Sequence, residues 1–388
     1  MKRGGHMIDR ERLAQTFSRL VRIDSISKEE KAISDVLCRI LSSMEADVAQ
    51  DDAGEKIGGQ TGNIVAKFKG NVKAPPMILN AHMDTVEPGR GVEPVLENGV
   101  FSSKGDTILG ADDKSALAVI LEVLWIIQEN NLPHGPLEVV FTISEEIGLL
   151  GAKNLNFDLL SSTFGFALDA TDPQGIITRA PSANHLVFTV HGKAAHAGAK
   201  PEKGINAIQI AGKAIAAMKL GRIDRETTCN IGTIEGGLAI NIVPERVRVE
   251  GEARSHDEEK LKQVTNAMVN SFQKIISDAS QGSIEKNLPS LEYVVEKEFT
   301  RTDISETHHV VRLARQAAKN LDRTMACKST GGGADANVFS QHGIDLGVIG
   351  TGMMDMHTVK ESVKLDDMVA TTELVLEIIR LHAQGNAA

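Results

Sequence analysis

Two histidines and a set of carboxylates stand where apolar runs end. His82 and Asp84 follow Met77-Ile78-Leu79-Asn80-Ala81, Glu145 and Glu146 follow the run Leu137 to Ile143, and Asp169 follows Phe164-Gly165-Phe166-Ala167-Leu168. Asp112 stands in Gly110-Ala111-Asp112-Asp113-Lys114, and His357 far downstream in Met354-Asp355-Met356-His357-Thr358. Imidazoles and carboxylates with no cysteine among them suit zinc, cobalt or manganese. Short apolar runs read as buried strands, and open α/β sheets keep their sites at the carboxyl ends of strands. The chemistry this points to is hydrolysis by a metal-activated water.

Each piece also has a plainer reading. In His82-Met83-Asp84 the period of two puts both side chains on one side, so the aspartate can orient the imidazole through its far ring nitrogen; otherwise the pair is a polar strand end with a capping aspartate. Asp112-Asp113 opens an apolar helix, where negative charge is favoured in any case, yet such a carboxylate can also bridge two cations. Glu145 and Glu146 repel each other unless something positive is near, which suits one as ligand and the other as proton carrier. His357 has Met353, Met354 and Met356 around it, an apolar setting in which a buried core histidine is the ordinary expectation.

Helices and strands alternate over the first ~180 residues. Helices are expected from Ile8 to Ile23, from a capping box Ser27-Lys28-Glu29-Glu30 onward, and from Lys114 to Asn130; strands at Asn63 to Lys69, Met77 to Ala81, Leu137 to Ile143 and Gly165 to Leu168. That alternation implies a mixed, mostly parallel sheet flanked by helices. From about residue 184 the order becomes β-α-β-β-α-β, a ferredoxin-like α+β unit. The α/β pattern resumes with helices from Glu306 to Asn320 and Asp366 to Gln384 around the strand Leu346 to Ile349. The expected organisation is a discontinuous catalytic domain, 1–183 and 299–388, around an inserted domain, 184–298.

A chain of 388 residues with 41% apolar content accommodates two cores. A formal charge of -10 argues against nucleic acid as a partner. No apolar run approaches the length of a membrane span, and the first seven residues carry no secretory pattern, Met7 being a candidate start. Cys38, Cys229 and Cys327 form no framework of pairs, so a cytoplasmic location is expected.

The five segments, in this order, resemble the zinc-dependent exopeptidases that include peptidase T, carboxypeptidase G, aminoacylase and the succinyl-diaminopimelate desuccinylases. The resemblance runs from about Ile8 to the C-terminal helix. It implies the zinc exopeptidase fold with an inserted lid and dimerisation domain, two divalent metal ions (zinc, with cobalt or manganese as alternatives) and a homodimer. It implies that His82 and Asp169 bind one ion, that Glu146 and His357 bind the other, that Asp112 bridges the two, and that the Asp112-Asp113 peptide bond is cis. Asp84 would orient His82, Glu145 would be the general base, and His196 in Ala194-Ala195-His196-Ala197-Gly198 would stabilise the oxyanion. Asn241, Arg254 and Gly332, the last in Ser329-Thr330-Gly331-Gly332-Gly333, would bind substrate; a surface ion pair with Asp257 or Glu252 is the plain alternative for Arg254. The strings Ile108 to Lys114 and Glu252 to Asp257 look most like the peptidase T branch, which implies an aminopeptidase on tripeptides. Another amidase on the same scaffold, an N-acyl-amino-acid deacylase or a carboxypeptidase, and a non-catalytic binding protein are the alternatives.

Overall fold

The computed structural model describes residues 8–281, 285 and 287–385; Met7, the candidate start, and the residues before it lie outside them. The chain forms two compact units. The first takes the residues up to Arg179, Asp303–Ser329 and those from Ala334 on, and the second takes Ala180–Thr302 with Thr330–Gly333. The junctions expected at 183 and 298 shift by a few residues, because the strand Gly175–Ala180 is separated from Ser182–His191 only by Pro181, with no break in composition to mark the crossing. Thr330–Gly333 joins the second unit through its main chain. The Gly331 carbonyl accepts from Arg254 Nη1 at 3.3 Å, the Thr330 carbonyl lies 2.9 Å from His256 Nε2, and Gly333 lies against the Phe299 ring.

The first unit is built on a mixed sheet whose centre is parallel. Met77–His82 runs parallel to Leu137–Thr142 on one side and to Phe164–Ala170 on the other, and Asp345–Gly350 continues the parallel run. Ile64–Phe68 and Asp47–Gln50 extend one edge antiparallel. Central strands of this kind are covered on both faces, so they read as unbroken apolar runs. Ala111–Glu129 is buried on nearly every side because it packs on the sheet and is itself covered by Arg10–Val21 and Leu365–Ala383.

Gly165 marks how closely these strands fit. A Cβ there would lie 2.3 Å from the Ile78 carbonyl oxygen of the neighbouring strand. Gly165→Ala is expected to destabilise the first unit by about 1–3 kcal/mol, read as a lower midpoint of urea denaturation.

The helix Lys31–Ser43 departs from the expected capping box. It begins after Glu30 with no side-chain cap. The Ser27 hydroxyl donates instead to Asp84 Oδ2 at 2.6 Å, and Glu30 Oε1 accepts from the amide of Lys28 and from the amide and hydroxyl of Ser144, each at 2.9 Å. Buried carboxylates claimed the donors that a surface helix would have used for its cap.

The second unit is an antiparallel sheet in the order Thr227–Gly236, Arg246–Ser255, Ser182–His191, Ser290–Phe299, with a two-residue strand Gly221–Arg222 at one edge. Helices Ala207–Ala216 and Glu258–Ser280 pack on it, and Phe188 stacks on Phe272 at 4.2 Å. This is the ferredoxin-like order expected from the sequence.

Candidate metal centre

The centre forms where the parallel strands of the first unit end. Asn80 pairs with Ala167, so two residues on His82 stands beside Asp169. His82 itself pairs with Thr142, whose strand runs on through Ser144 at φ 51 into Glu145 and Glu146. The left-handed turn at Ser144 is what Glu30 holds, and it swings the two glutamates across the strand end.

Asp112 sits between the two histidines. His82 Nε2 lies 3.0 Å from its Oδ1, and His357 Nε2 lies 3.3 Å from its Oδ2 and 2.9 Å from Glu146 Oε1. His82, Asp112 and Glu146 offer ligand atoms within 4.8 Å of one another, as do His82, Asp113 and Asp169. Asp113 thus competes with Asp112 for a place beside His82. Its Oδ2, however, accepts from the His82 amide at 3.2 Å, and only Asp112 turns one oxygen to each histidine. Asp112 and Asp113 have non-helical backbones, the peptide bond between them is cis, and the regular helix begins at Lys114. His357 is not a core residue. It follows the short strand Met353–Met354 at φ 61, and 52% of its side chain is exposed. Met353 and Met354 belong to a small sheet with Ser362–Lys364, Val100–Ser103 and Pro94–Glu97, while Met353 and Met356 pack on the core of the first unit.

Asp84 does more than orient a ring. His82 Nδ1 donates to the Asp84 carbonyl oxygen at 3.0 Å, with the carboxylate Oδ1 at 3.4 Å, so Nε2 is the nitrogen that faces Asp112 and would meet an ion. The carboxylate accepts from the amides of Glu145 at 2.9 Å and Glu146 at 3.1 Å. Asp84 therefore fixes both glutamates. Asp84→Asn would turn one acceptor into a donor facing those amides, and a loss of about 10–100-fold in metal affinity is expected by isothermal titration.

The electrostatics ask for cations. Burial pushes the Glu145 and Asp169 carboxyls well up; Glu146 and Asp335 add to both, Asp169 to Glu145 and Asp112 to Asp169, while His82 opposes it. Burial would also raise Asp112, but hydrogen bonds from His357 and His82 carry it well below the ordinary range. His357, held by Asp112 and Glu146, rises to about 10. Buried carboxylates that outnumber their histidines are costly unless positive charge joins them, and the donor set of nitrogen and carboxylate oxygen suits divalent ions. Among the described residues the Glu145 carboxylate hydrogen-bonds to no other group, so it is free for a proton.

Two residues of this neighbourhood gave no signal in the sequence. Asp335 is buried. Its Oδ2 accepts from the Thr142 hydroxyl and from Asn80 Nδ2 at 3.5 Å, its Oδ1 has no partner, and burial pushes it up to about 6. It follows the glycine run, which drew attention for its own amides. Glu361 is the other: its oxygens accept from the amides of Leu109, Gly110 and Asp112. Its spacing of four from His357 was visible but had no meaning without the fold.

The remaining expected residues belong to the second unit. His196 pairs with Ile242 in an isolated bridge, and its Nδ1 accepts from the amides of Gly198 at 3.2 Å and Ala199 at 3.1 Å. The Asn241 carbonyl accepts from the Ala197 amide at 2.9 Å. Arg254 binds Glu252 Oε2 through Nε at 3.1 Å and Nη2 at 2.9 Å and lies over the Phe299 ring, so the ion pair weighed as the plain alternative is present. The Gly332 amide donates to Thr330 Oγ1 at 3.1 Å.

Fold and centre together define a metallopeptidase of the zinc exopeptidase type. Residues 182–279 match the "Peptidase dimerisation domain" of the M20 peptidases, and residues 63–200 match "Peptidase family M28". The crystal structure of a Staphylococcus aureus tripeptidase is 38% identical, with TM-score 0.89 over 98% of this chain and 100% of that one. The aminopeptidase PepT from Bacillus cereus is 37% identical, with TM-score 0.85 over 97% and 100%. The Bacillus subtilis protein YqjE is 40% identical over 97% of this chain and 100% of its own. The chain belongs to the M20 family of peptidases, on its peptidase T-like branch. No helix among the described residues is long and apolar enough to cross a membrane.

Proposed function

We propose that the protein is an aminopeptidase that releases the N-terminal residue of tripeptides, using two divalent ions, zinc foremost, held by His82, Asp112, Glu146, Asp169 and His357. The observation that carries the chemistry is Asp112, one carboxylate with an oxygen turned to each of two histidines. The choice of tripeptides is supported by the end-to-end likeness to the Staphylococcus aureus tripeptidase and to PepT.

Ions bound there would polarise the scissile carbonyl and acidify a water. Glu145 takes the proton of the attacking water and delivers it to the leaving amine. Asp84 keeps Glu145 and Glu146 apart and in place through their amides. His196 accepts at Nδ1, so its neutral ring carries the proton on Nε2, the donor that a developing oxyanion requires. Arg254, Asn241 and Gly332 are assigned to the peptide by the family pattern alone, and a substrate carboxylate would have to displace Glu252 from Arg254. The dimerisation domain supports a homodimer, and three cysteines without disulfides agree with the cytoplasm.

A panel of di- and tripeptides, free, N-acetylated or C-amidated, tests the reading. Free tripeptides are expected to lose their first residue and N-acetylated ones to resist. Cleavage of acylated amino acids, or release of the last residue, would replace the aminopeptidase with a deacylase or a carboxypeptidase.

A further inference from the structure

The loop that carries Asp112 lacks helical support. Gly110 has φ 74, and Asp112 and Asp113 are non-helical, so the first amides of the segment find no carbonyl in the helix they precede. They are buried and must bond elsewhere. One side chain meets that need. Glu361, 1% exposed, accepts from the Leu109 and Gly110 amides with Oε2, each at 2.8 Å, and from the Asp112 amide with Oε1 at 2.9 Å.

Glu361 also stands four residues after His357 and directly before Ser362–Lys364, which pairs with Val100–Ser103. The segment bearing one histidine is thereby tied to the loop bearing the carboxylate that the histidine faces.

We propose that Glu361 is a positioning residue that locks the Asp112 loop to the His357 segment, so that the ion shared by Asp112, Glu146 and His357 is the first lost when the lock is removed. This rests on the two-ion reading above. A carboxylate is required because three donors converge on two oxygens; a glutamine in its place offers one oxygen and sets an N–H2 group against an amide.

Buried carboxylates that hold main-chain amides also occur away from the centre, and one serves as control. Glu138, 2% exposed, accepts from the Ser161 and Ser162 amides at the opposite end of its strand from Glu145. Ion-free wild type, Glu361→Gln, Glu361→Asp and Glu138→Gln are titrated with zinc chloride against a chromophoric chelator. Each is also melted without ions by circular dichroism.

Glu361→Gln is expected to weaken one of two zinc sites by about 10–100-fold. Glu361→Asp, which keeps the charge on a shorter arm, should fall between it and the wild type. Glu138→Gln should melt lower yet bind zinc as the wild type does. Should Glu361→Gln fail to fold, Glu361→Asp against Glu138→Gln decides. Wild-type affinity at both sites in the Glu361 variants, or an equal loss in Glu138→Gln, overturns the positioning role alone. A wild type that takes up no zinc overturns the two-ion reading and this role with it.

Discussion

Glu145→Gln protein is expected to fill with zinc as the wild type does and to hydrolyse a free tripeptide about 10²–10⁴-fold more slowly. The geometry separates the two glutamates. Glu146 is committed to His357 at 2.9 Å, whereas the Glu145 side chain bonds to nothing described and is held only by its amide on Asp84. Glutamine preserves that amide bond and nearly the same shape, and it removes only the capacity to carry a proton. The loss should therefore fall on kcat, with KM close to wild type, because the proton transfer is made in the transition state alone. Elemental analysis of the variant supplies the counter-test. If zinc falls together with turnover, Glu145 is a ligand and the base must be sought elsewhere.

That one glutamate could ligate and the other carry a proton was legible before the fold, because the pair ends an unbroken apolar run; which does which came from the family resemblance. His82, Asp169 and the glutamate pair all follow strands buried on both faces, and the parallel register brings their ends level. The surface pattern for helix capping misled at Ser27, where it was overridden by Asp84, a buried carboxylate that takes the Ser27 hydroxyl for itself. Short strands gave no usable period: Pro94–Glu97 and Met353–Met354 are half-exposed or two residues long, so the sheet that presents His357 was invisible, and Met353 and Met356, which do pack on the core, suggested a buried histidine beside them. Glu361 and Asp335 were beyond reach for a different reason. Their partners are main-chain amides and side chains roughly 250 and 200 residues away, and a contact made to the backbone leaves no trace in the identity of the residue contacted. Arg254 shows the converse, since its likeness to a substrate clamp and its ion pair with Glu252 come from the same guanidinium fork.

Removing the ions should abolish hydrolysis, and the ion-free protein should weaken as the pH rises. Chelation followed by dialysis is expected to leave no measurable tripeptide cleavage, with recovery on adding back zinc, cobalt or manganese singly. The pH sign follows from the acids. Glu145 and Asp169 are pushed up in the fold by burial, so above their ordinary values near 4.5 and 3.8 the unfolded chain has released protons that the fold still binds. Stability then falls with rising pH. His357 acts in the same direction: its contribution is complete below 6.5 and is lost as the pH approaches about 10, although the exposure of over half its side chain screens the effect. Asp112 acts oppositely, its contribution being present above 3.8 and lost only on strong acidification. Lys114, whose ammonium pKa is lowered to about 7 by burial, works against this above that value, so the ion-free melting temperature should decline between pH 5 and 7. Zinc ionises and neutralises the same carboxylates, so the gap between melts with and without it should widen over that range. Each site held at a thousand times its dissociation constant adds about 4 kcal/mol. A gap that stays flat from pH 5 to 7 would mean that these buried acids are not the groups that receive the ions.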